Sequence, residues 1–437
     1  MSSTQESHTS STMEASPEHP PAEKPVTAGP PLGMTPPPDG GLKAWLQVIG
    51  AFSVFFNTWG LLNTFGIYQT YYEEGELFRT SSSNISWIGS IQGFLVLLGG
   101  VISGPLYDRG YLRALIATGS FCIVFGHMML SLASEYWHIM LSQGICVGLG
   151  AGLIFTPSVS VLQGYFRKNI GLASGLAAAG SSLGGVIYPI VFYRLIDQVG
   201  FGWTVRIIGF IALATLIAPI AFLQQRAKPP GLRKFYDLTA LSDGPWVLFT
   251  LGCLLGFIGL YVMFFYISYY GLSTGTTDAA MAFYVVPILN AASMFGRVFP
   301  TWLSDKTGPL NLLVPGGLIC GILVISMQAV DNLAGEVMMA ILFGFFSGVF
   351  IALPAVVYIM LTVDKSRLGT RIGMGFATLG LGTLIGGPGA GAILQQTGDG
   401  HNWVGTWVFG GVTLFASGIC FLVLRLWKFG FKLNTKA

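Results

Sequence analysis

Between Lys43 and Lys428 the chain returns twelve times to an apolar run of about 20 residues, the length at which an α-helix crosses the hydrocarbon of a bilayer. The runs begin near Lys43, Asn84, Leu112, His138, Gly171 and Trp203. After a polar break at Arg226–Gly244 they resume near Pro245, Ala279, Leu310, Leu333, Leu368 and Asn402. In lipid each backbone N–H and C=O must be satisfied within the protein, and helices do so segment by segment. The pattern therefore predicts an all-α integral membrane protein, a twelve-helix bundle in two six-helix halves. Composition agrees: 9% of the 437 residues are charged, against about a quarter in soluble proteins, too few to coat a soluble chain of this length.

The expected organisation is a disordered cytoplasmic tail over 1–38, a six-helix bundle over 39–225 and a cytoplasmic linker over 226–244. A second bundle over 245–428 and a short cytoplasmic tail over 429–437 complete it. Residues 1–38 are rich in Ser, Thr, Glu and Pro and lack the apolar core of a signal peptide. With the N-terminus assigned to the cytoplasm, eighteen of the 22 Lys and Arg fall on the cytoplasmic side. Only Arg79, Arg194 and Arg206 fall outside, and Arg297 lies inside a helix. The positive-inside rule selects this topology, with both termini cytoplasmic in a cell membrane. The net charge of +3 is dispersed, so nucleic acid is not an expected partner. The five cysteines lie inside apolar runs without metal-ligand spacing, and neither a metal nor another cofactor is expected.

Two short polar strings repeat. Gly104–Arg113, GPLYDRGYLR, joins the second and third runs. Thr301–Leu310, TWLSDKTGPL, joins the eighth and ninth. Each has Leu two residues before Asp, then a cation, then Gly, and Asp108 and Asp305 lie 197 positions apart. Gly175, Ala177 and Gly180 of the fifth run match Gly375, Ala377 and Gly380 of the eleventh at an offset of 200, so the halves are repeats in parallel orientation. Asp305-Lys306-Thr307-Gly308 is also the tetrapeptide that pump ATPases phosphorylate. A phosphorylated Asp needs a nucleotide-binding domain, however, and the longest connection here is the linker. No G-x-x-x-x-G-K-[ST] loop occurs, and no nucleophile–base pair suggests an enzyme. The repeated strings are read instead as gates. Asp108, Arg109, Arg113, Asp305 and Lys306 would pair across the halves while the cytoplasmic side is closed. Solvated turns are the structural alternative.

These strings resemble the loop signature G-x-L-a-D-r-x-G-r-k of the major facilitator superfamily, although Gly110 comes one residue early. Asp39–Trp45, DGGLKAW, resembles the D-G-G-x-G-W signature of monocarboxylate transporters with one residue added. Tyr165–Gly180, YFRKNIGLASGLAAAG, resembles that family's fifth-helix motif, with Asn169 and Ile170 in place of two basic residues. The polar tail looks most like the fungal branch. The resemblance implies alternating access between two rocking halves. It also implies a Lys in the first helix and an Asp-x-x-x-Arg pair in the eighth for proton coupling. Here Asn63 stands at the Lys position, Ser293 at the Asp position, and Arg297 is retained.

Asn290, Ser293 and Arg297 are spaced by three and four, so they share one helix face. Amide, hydroxyl and guanidinium on one stripe suit a carboxylate, which Arg can bind as a fork. Snorkelling of Arg297, or membership in the gate, are the alternatives. Trp59 and Asn63 share a face of the first helix, where interhelical packing is equally open. Tyr261 and Tyr266 of the seventh helix and Tyr358 of the tenth complete the substrate-binding candidates. The small residues of the fifth and eleventh helices are read as packing surfaces. The expected function is secondary active or facilitative transport of a small organic anion, a monocarboxylate, by a monomer in the lipid bilayer, with protons carried along with the substrate. The alternative is export of a larger apolar or acidic metabolite. A non-transporting nutrient sensor on the same scaffold is a second alternative.

Overall fold

A computed structural model of the protein describes residues 37–75, 77–226, 236–362, 367–396 and 401–430, with Ser2. The tails predicted for 1–38 and 429–437 lie almost wholly outside the described residues, as do linker residues 227–235. Eleven helical stretches among the described residues are long and apolar enough to cross a membrane. We number the passes α1 Leu42–Glu73, α2 Ser82–Asp108, α3 Leu112–Leu130 and α4 Tyr136–Tyr165. The stretch Ile170–Phe222 follows, then α7 Gly244–Thr274, α8 Ala279–Thr307, α9 Leu310–Ala329, α10 Leu333–Leu361, α11 Leu368–Leu394 and α12 Trp403–Phe429.

Ile170–Phe222 counts as two passes. Its 53 residues would extend for about 80 Å as one rod, against a hydrocarbon thickness of about 30 Å. Gly200 interrupts it with φ 72° and ψ 171°, a conformation that costs glycine little. The arms are α5, residues 170–199, and α6, residues 201–222. The described residues thus form the expected twelve-pass bundle with no strand.

Several helices are bent at identifiable residues. α1 is interrupted at Thr58 and Thr64. The hydroxyls of Thr58, Thr64 and Thr70 each donate to the carbonyl four residues back, at 2.9, 2.8 and 3.0 Å. This back-bonding competes with the helical ladder and bends it. α4 carries a π-helical stretch over Met140–Val147. α10 breaks at Leu353, ahead of Pro354.

The halves meet along three principal helix pairs: α2 with α11, α1 with α7, and α8 with the long helix that holds α5. The small residues of α5 serve close approach, as expected. A Cβ on Gly60 of α1 would lie 2.8 Å from the Cα of Gly184, so the two backbones touch within the first half. In lipid, where apolar surface alone drives little association, such contact supplies the packing energy. The basic residues Lys43, Arg109, Arg113, Arg167, Arg226, Lys306 and Arg371 lie at or near one set of helix ends, here the basic face. Glu74, Glu135, Asp278 and Asp331 lie at the other, the acidic face.

Gly184→Val should separate α1 from α5. Overpacking of this kind costs about 1–3 kcal/mol, read as a lower melting temperature of the purified protein. Gly373→Ala, where a Cβ would meet nothing within 4 Å, should leave it nearly unchanged.

Candidate functional site

The predicted α8 stripe lies at the centre of the bundle, and its partners come from the other half. Arg297 is fully buried. Its Nε donates to Ser293 Oγ one turn back (3.3 Å), and its Nη1 donates to the Ala178 carbonyl of α5 (3.2 Å) and to the Ser181 hydroxyl. Nη2 has no hydrogen-bond partner among the described residues. One turn and more toward the acidic face, Asn63 Nδ2 of α1 donates to Asn290 Oδ1 (2.9 Å), and Asn290 Nδ2 donates to the Val286 carbonyl (3.0 Å). Asn290 fits because Gly185 lacks a side chain; a Cβ there would lie 2.5 Å from its amide. Asn63, Asn290, Ser293 and Arg297 therefore form one buried polar seam between the halves.

An aromatic wall borders the seam. Tyr261 is the electrostatic neighbour of Arg297. Its ring meets Phe265 edge-on at 5.3 Å, and Phe265 meets Phe65 of α1 at 4.8 Å. Trp59, placed just after the Thr58 bend, packs on Phe155 of α4 at 5.5 Å, and its indole N–H has no partner among the described residues. Tyr266 bridges the halves. Its hydroxyl pairs with Ser86 of α2 and donates to the Gly387 carbonyl of α11 at 3.2 Å. Tyr358 sits apart from the seam. It pairs with Thr250 at 3.0 Å inside the second half and packs on Phe249 and Phe376.

The bonds that cross between halves cluster at the seam and toward the acidic face. Ser83 Oγ of α2 donates to the Pro388 carbonyl of α11 (3.1 Å), while Ser86, Gln69, Glu73 and Ser82 bond one another within the first half. Gln395 of α11 donates to Ser82 Oγ (3.3 Å), and Tyr193 of α5 stacks on Phe283 of α8 at 5.0 Å. Toward the basic face, α4 packs on helices of its own half, and Pro354–Leu361 of α10 packs on α7 and α11 of its own. Among the described residues, the cross-half hydrogen bonds named here thus lie at the seam and toward the acidic face.

The predicted gate residues occupy the basic face. Asp108 is buried at the end of α2, and Arg109 and Arg113 are exposed. Arg113 lines a cleft with Leu112, Leu223, Gln225 and Arg226, away from the seam. Lys306 lies over the Trp302 ring of its own helix, 4.0 Å from the centroid. The side chain of Asp305 lies outside the described residues.

A second pair of contacts on this face joins motifs that the sequence presents separately. Asp39 Oδ1 accepts from the backbone N–H groups of Arg167 (2.5 Å) and Lys168 (2.6 Å), and its own N–H donates to the Tyr165 carbonyl (3.0 Å). The segment before α1 is thereby tied to the turn before α5. Those N–H groups, Arg167's first, hold the Asp39 carboxyl below the usual carboxylate range. In the second half Asp237, before α7, pairs with Arg367 (3.3 Å) and Arg371 (3.1 Å) at the start of α11, and Arg371 also reaches Asp243 (2.8 Å). The Thr239 hydroxyl, then Arg371, hold the Asp237 carboxyl at about 2. Asp39 and Asp237 lie 198 positions apart, Arg167 and Arg367 lie 200 apart, and both offsets match the repeat. That spacing was the signal that could have revealed the two clasps.

The family description Major Facilitator Superfamily matches residues 48–355. The chain is 56% identical to the MFS-type transporter dbaD of Emericella nidulans over 402 residues, 91% of this chain and 90% of that one. It is 39% identical to MFS-type transporter 1 of an Ophiocordyceps species over 394 residues, 89% and 86% of the two chains. It is 37% identical to the aspyridones efflux protein apdF of Emericella nidulans over 364 residues, 83% and 74% of the two chains.

The lowered Asp237 carboxyl fixes a pH sign. A group whose folded value lies below its ordinary 3.8 stabilises the fold above that pH, and this contribution is lost as pH falls toward about 2. Asp237→Asn should lower the melting temperature at neutral pH. The difference from the natural protein should shrink as the melts are repeated at pH values from 4 downward.

Proposed function

The chain belongs to the Major Facilitator Superfamily, and from that premise we propose that it exports an apolar or acidic metabolite larger than a simple monocarboxylate, by alternating access. Transport through a multi-pass bundle follows from the family, and no catalytic step is required. The observation that carries the efflux reading is the likeness over most of the chain to a relative named for efflux, together with the character of the seam. The Arg297 Nη2 amino group and the Trp59 indole N–H are buried without hydrogen-bond partners among the described residues, beside an extended aromatic wall.

In this reading the basic face is cytoplasmic, and the acidic face is closed while substrate arrives from the cell interior. The substrate's acidic group replaces the Ala178 and Ser181 oxygens at Arg297, and its apolar body lies against Tyr261, Tyr266, Phe265 and Trp59. Asn63 and Asn290 part as the halves rock, and their freed amides orient the cargo. Tyr358, inside the second half, braces α10 against α7. The exposed Arg109, Arg113 and Lys306, with Asp108 and Asp305, pair across the basic face in the opposite state. Recognition is chiefly apolar burial, with one charge-assisted hydrogen-bond pair fixing orientation.

A small monocarboxylate is the second reading, favoured by Arg297 as a fully buried cation in the seam and by the resemblance of Tyr165–Gly180 to monocarboxylate transporters.

Inside-out vesicles containing the protein should accumulate an aromatic carboxylic metabolite and leave a short-chain monocarboxylate outside; the reverse preference would favour the second reading. Arg297→Ala should cut uptake of the acidic cargo by roughly tenfold or more, the size of about 1.4 kcal/mol or greater expected on losing a charge-assisted bond. Arg297→Lys, which keeps charge but loses the fork, should restore only part of it.

A further inference from the structure

At the acidic-face end of the second half, a carboxylate is buried with nothing to bond. Glu336 lies in the first turn of α10, after the N-cap Asn332. It is fully buried, and neither carboxylate oxygen has a hydrogen-bond partner among the described residues. Thr277, in the turn between α7 and α8, is 7% exposed, and its hydroxyl is likewise unpartnered. The two side chains converge over the bare Cα of Gly271. A Cβ there would lie 2.5 and 2.8 Å from the two Glu336 oxygens and 2.6 Å from Thr277 Oγ1. Three oxygens therefore surround one small space that any other residue would fill.

Among the described residues, α7, α9 and the α7–α8 turn bring no cationic side chain to this carboxylate. α10 packs chiefly on α8, α9 and α7. The sequence has no Lys, Arg or His between Lys234 and Arg297, nor between Lys306 and Lys365. The titratable groups at this end of the half, among the described residues, include Tyr269, Tyr270, Asp278, Asp331 and His401, the last bonded to the Tyr269 hydroxyl at 2.9 Å. Tyr270 donates to the Val330 carbonyl at 2.6 Å, and Asp278 accepts from Met281 N at 2.8 Å. Asp331 acts on Tyr270 with the same sign as Glu336, so it adds negative charge. Arg194, on the long helix, lies over the Tyr284 ring at 5.8 Å. A buried carboxylate lacking both donors and counter-charge must take up a cation. One negative charge beside one neutral hydroxyl matches a monovalent ion.

We propose that Glu336, Thr277 and the space over Gly271 form a binding site for one monovalent cation, a proton or an alkali ion. The site lies where α7, α10 and the α7–α8 turn meet at the acidic face. Occupancy therefore stabilises this packing, and hydration on opening releases the ion. The inference does not depend on which cargo is carried.

The test uses the purified full-length chain in detergent. Melting temperature is followed against NaCl, with choline chloride holding ionic strength constant, and separately across about pH 5 to 8. The natural protein, Glu336→Gln and Thr277→Val are compared. If the ion is sodium, the natural protein melts higher as NaCl rises and Glu336→Gln does not respond. If it is a proton, NaCl has no effect, the natural protein melts lower as pH rises and empties the site, and Glu336→Gln lacks that component. In either case Thr277→Val should weaken the responding midpoint by about threefold or more. A natural protein that responds to neither variable would overturn the proposal. So would a Glu336→Gln variant that keeps the natural responses. Should Glu336→Gln fail to fold, identical midpoints in the natural protein and Thr277→Val would overturn it.

Discussion

The guanidinium of Arg297 is the constraint around which the two halves are arranged. An unpaired Arg at the centre of a membrane helix costs about 2.5–3.5 kcal/mol on insertion scales. α8 can supply only Ser293 from its own surface, one turn back. The Nη1 amino group is met by the Ala178 carbonyl and the Ser181 hydroxyl of α5. A residue of the second half is thus buried only because the first half donates oxygens to it. The same contact fixes the register of α5 against α8 and sets Asn290 over the Gly185 backbone.

These partners are neutral. A carboxylate in place of the Ala178 carbonyl would pair so strongly in low dielectric that separating the halves would expose a costly bare charge. Carbonyls, hydroxyls and amides exchange for water or cargo at modest net cost, since a hydrogen bond broken on one side is remade on the other. The family resemblance leads one to expect an acid at position 293 and a Lys at 63; Ser293 and Asn63 stand there instead. Where that resemblance implies ion pairs, the seam holds amide and hydroxyl bonds, which suit the alternating access proposed above.

Much of the fold was legible in the sequence because lipid permits few solutions. Each apolar run predicted a pass, and helix starts near Lys43, Leu112, Ala279, Leu310, Leu333, Leu368 and Asn402 agree with the observed ends to within a residue. The merging of the fifth and sixth runs through a single glycine turn was not legible, since Gly200 resembles many other glycines in the chain. The α8 stripe could be read from its spacing of three and four. Its partners could not, because Asn63 and Asn290 are 227 residues apart and no local periodicity encodes a contact between halves. Tyr358 shows the converse limit: its type suggested the cavity, while its hydroxyl bonds Thr250 within one half. Glu336, close to the start of its apolar run, is wholly buried, which sequence position alone cannot reveal.

The two clasps at the basic face add a mechanical consequence. Asp39 ties the start of α1 to the start of α5, and Asp237 ties the start of α7 to the start of α11. α1 and α5 face the other half through α7 and α8, while α7 and α11 face it through α1 and α2. Each clasp therefore couples two interface helices of its own half and crosses to neither helix of the other. Each is also made outside the hydrocarbon, where a carboxylate keeps its charge at little cost. Among the described residues the carboxylate clasps lie within the halves, and the seam between them is made of amide, hydroxyl and guanidinium bonds to neutral partners. Such wiring suits the alternating access proposed above, because a bond to a neutral partner can be exchanged for water or cargo as the halves part.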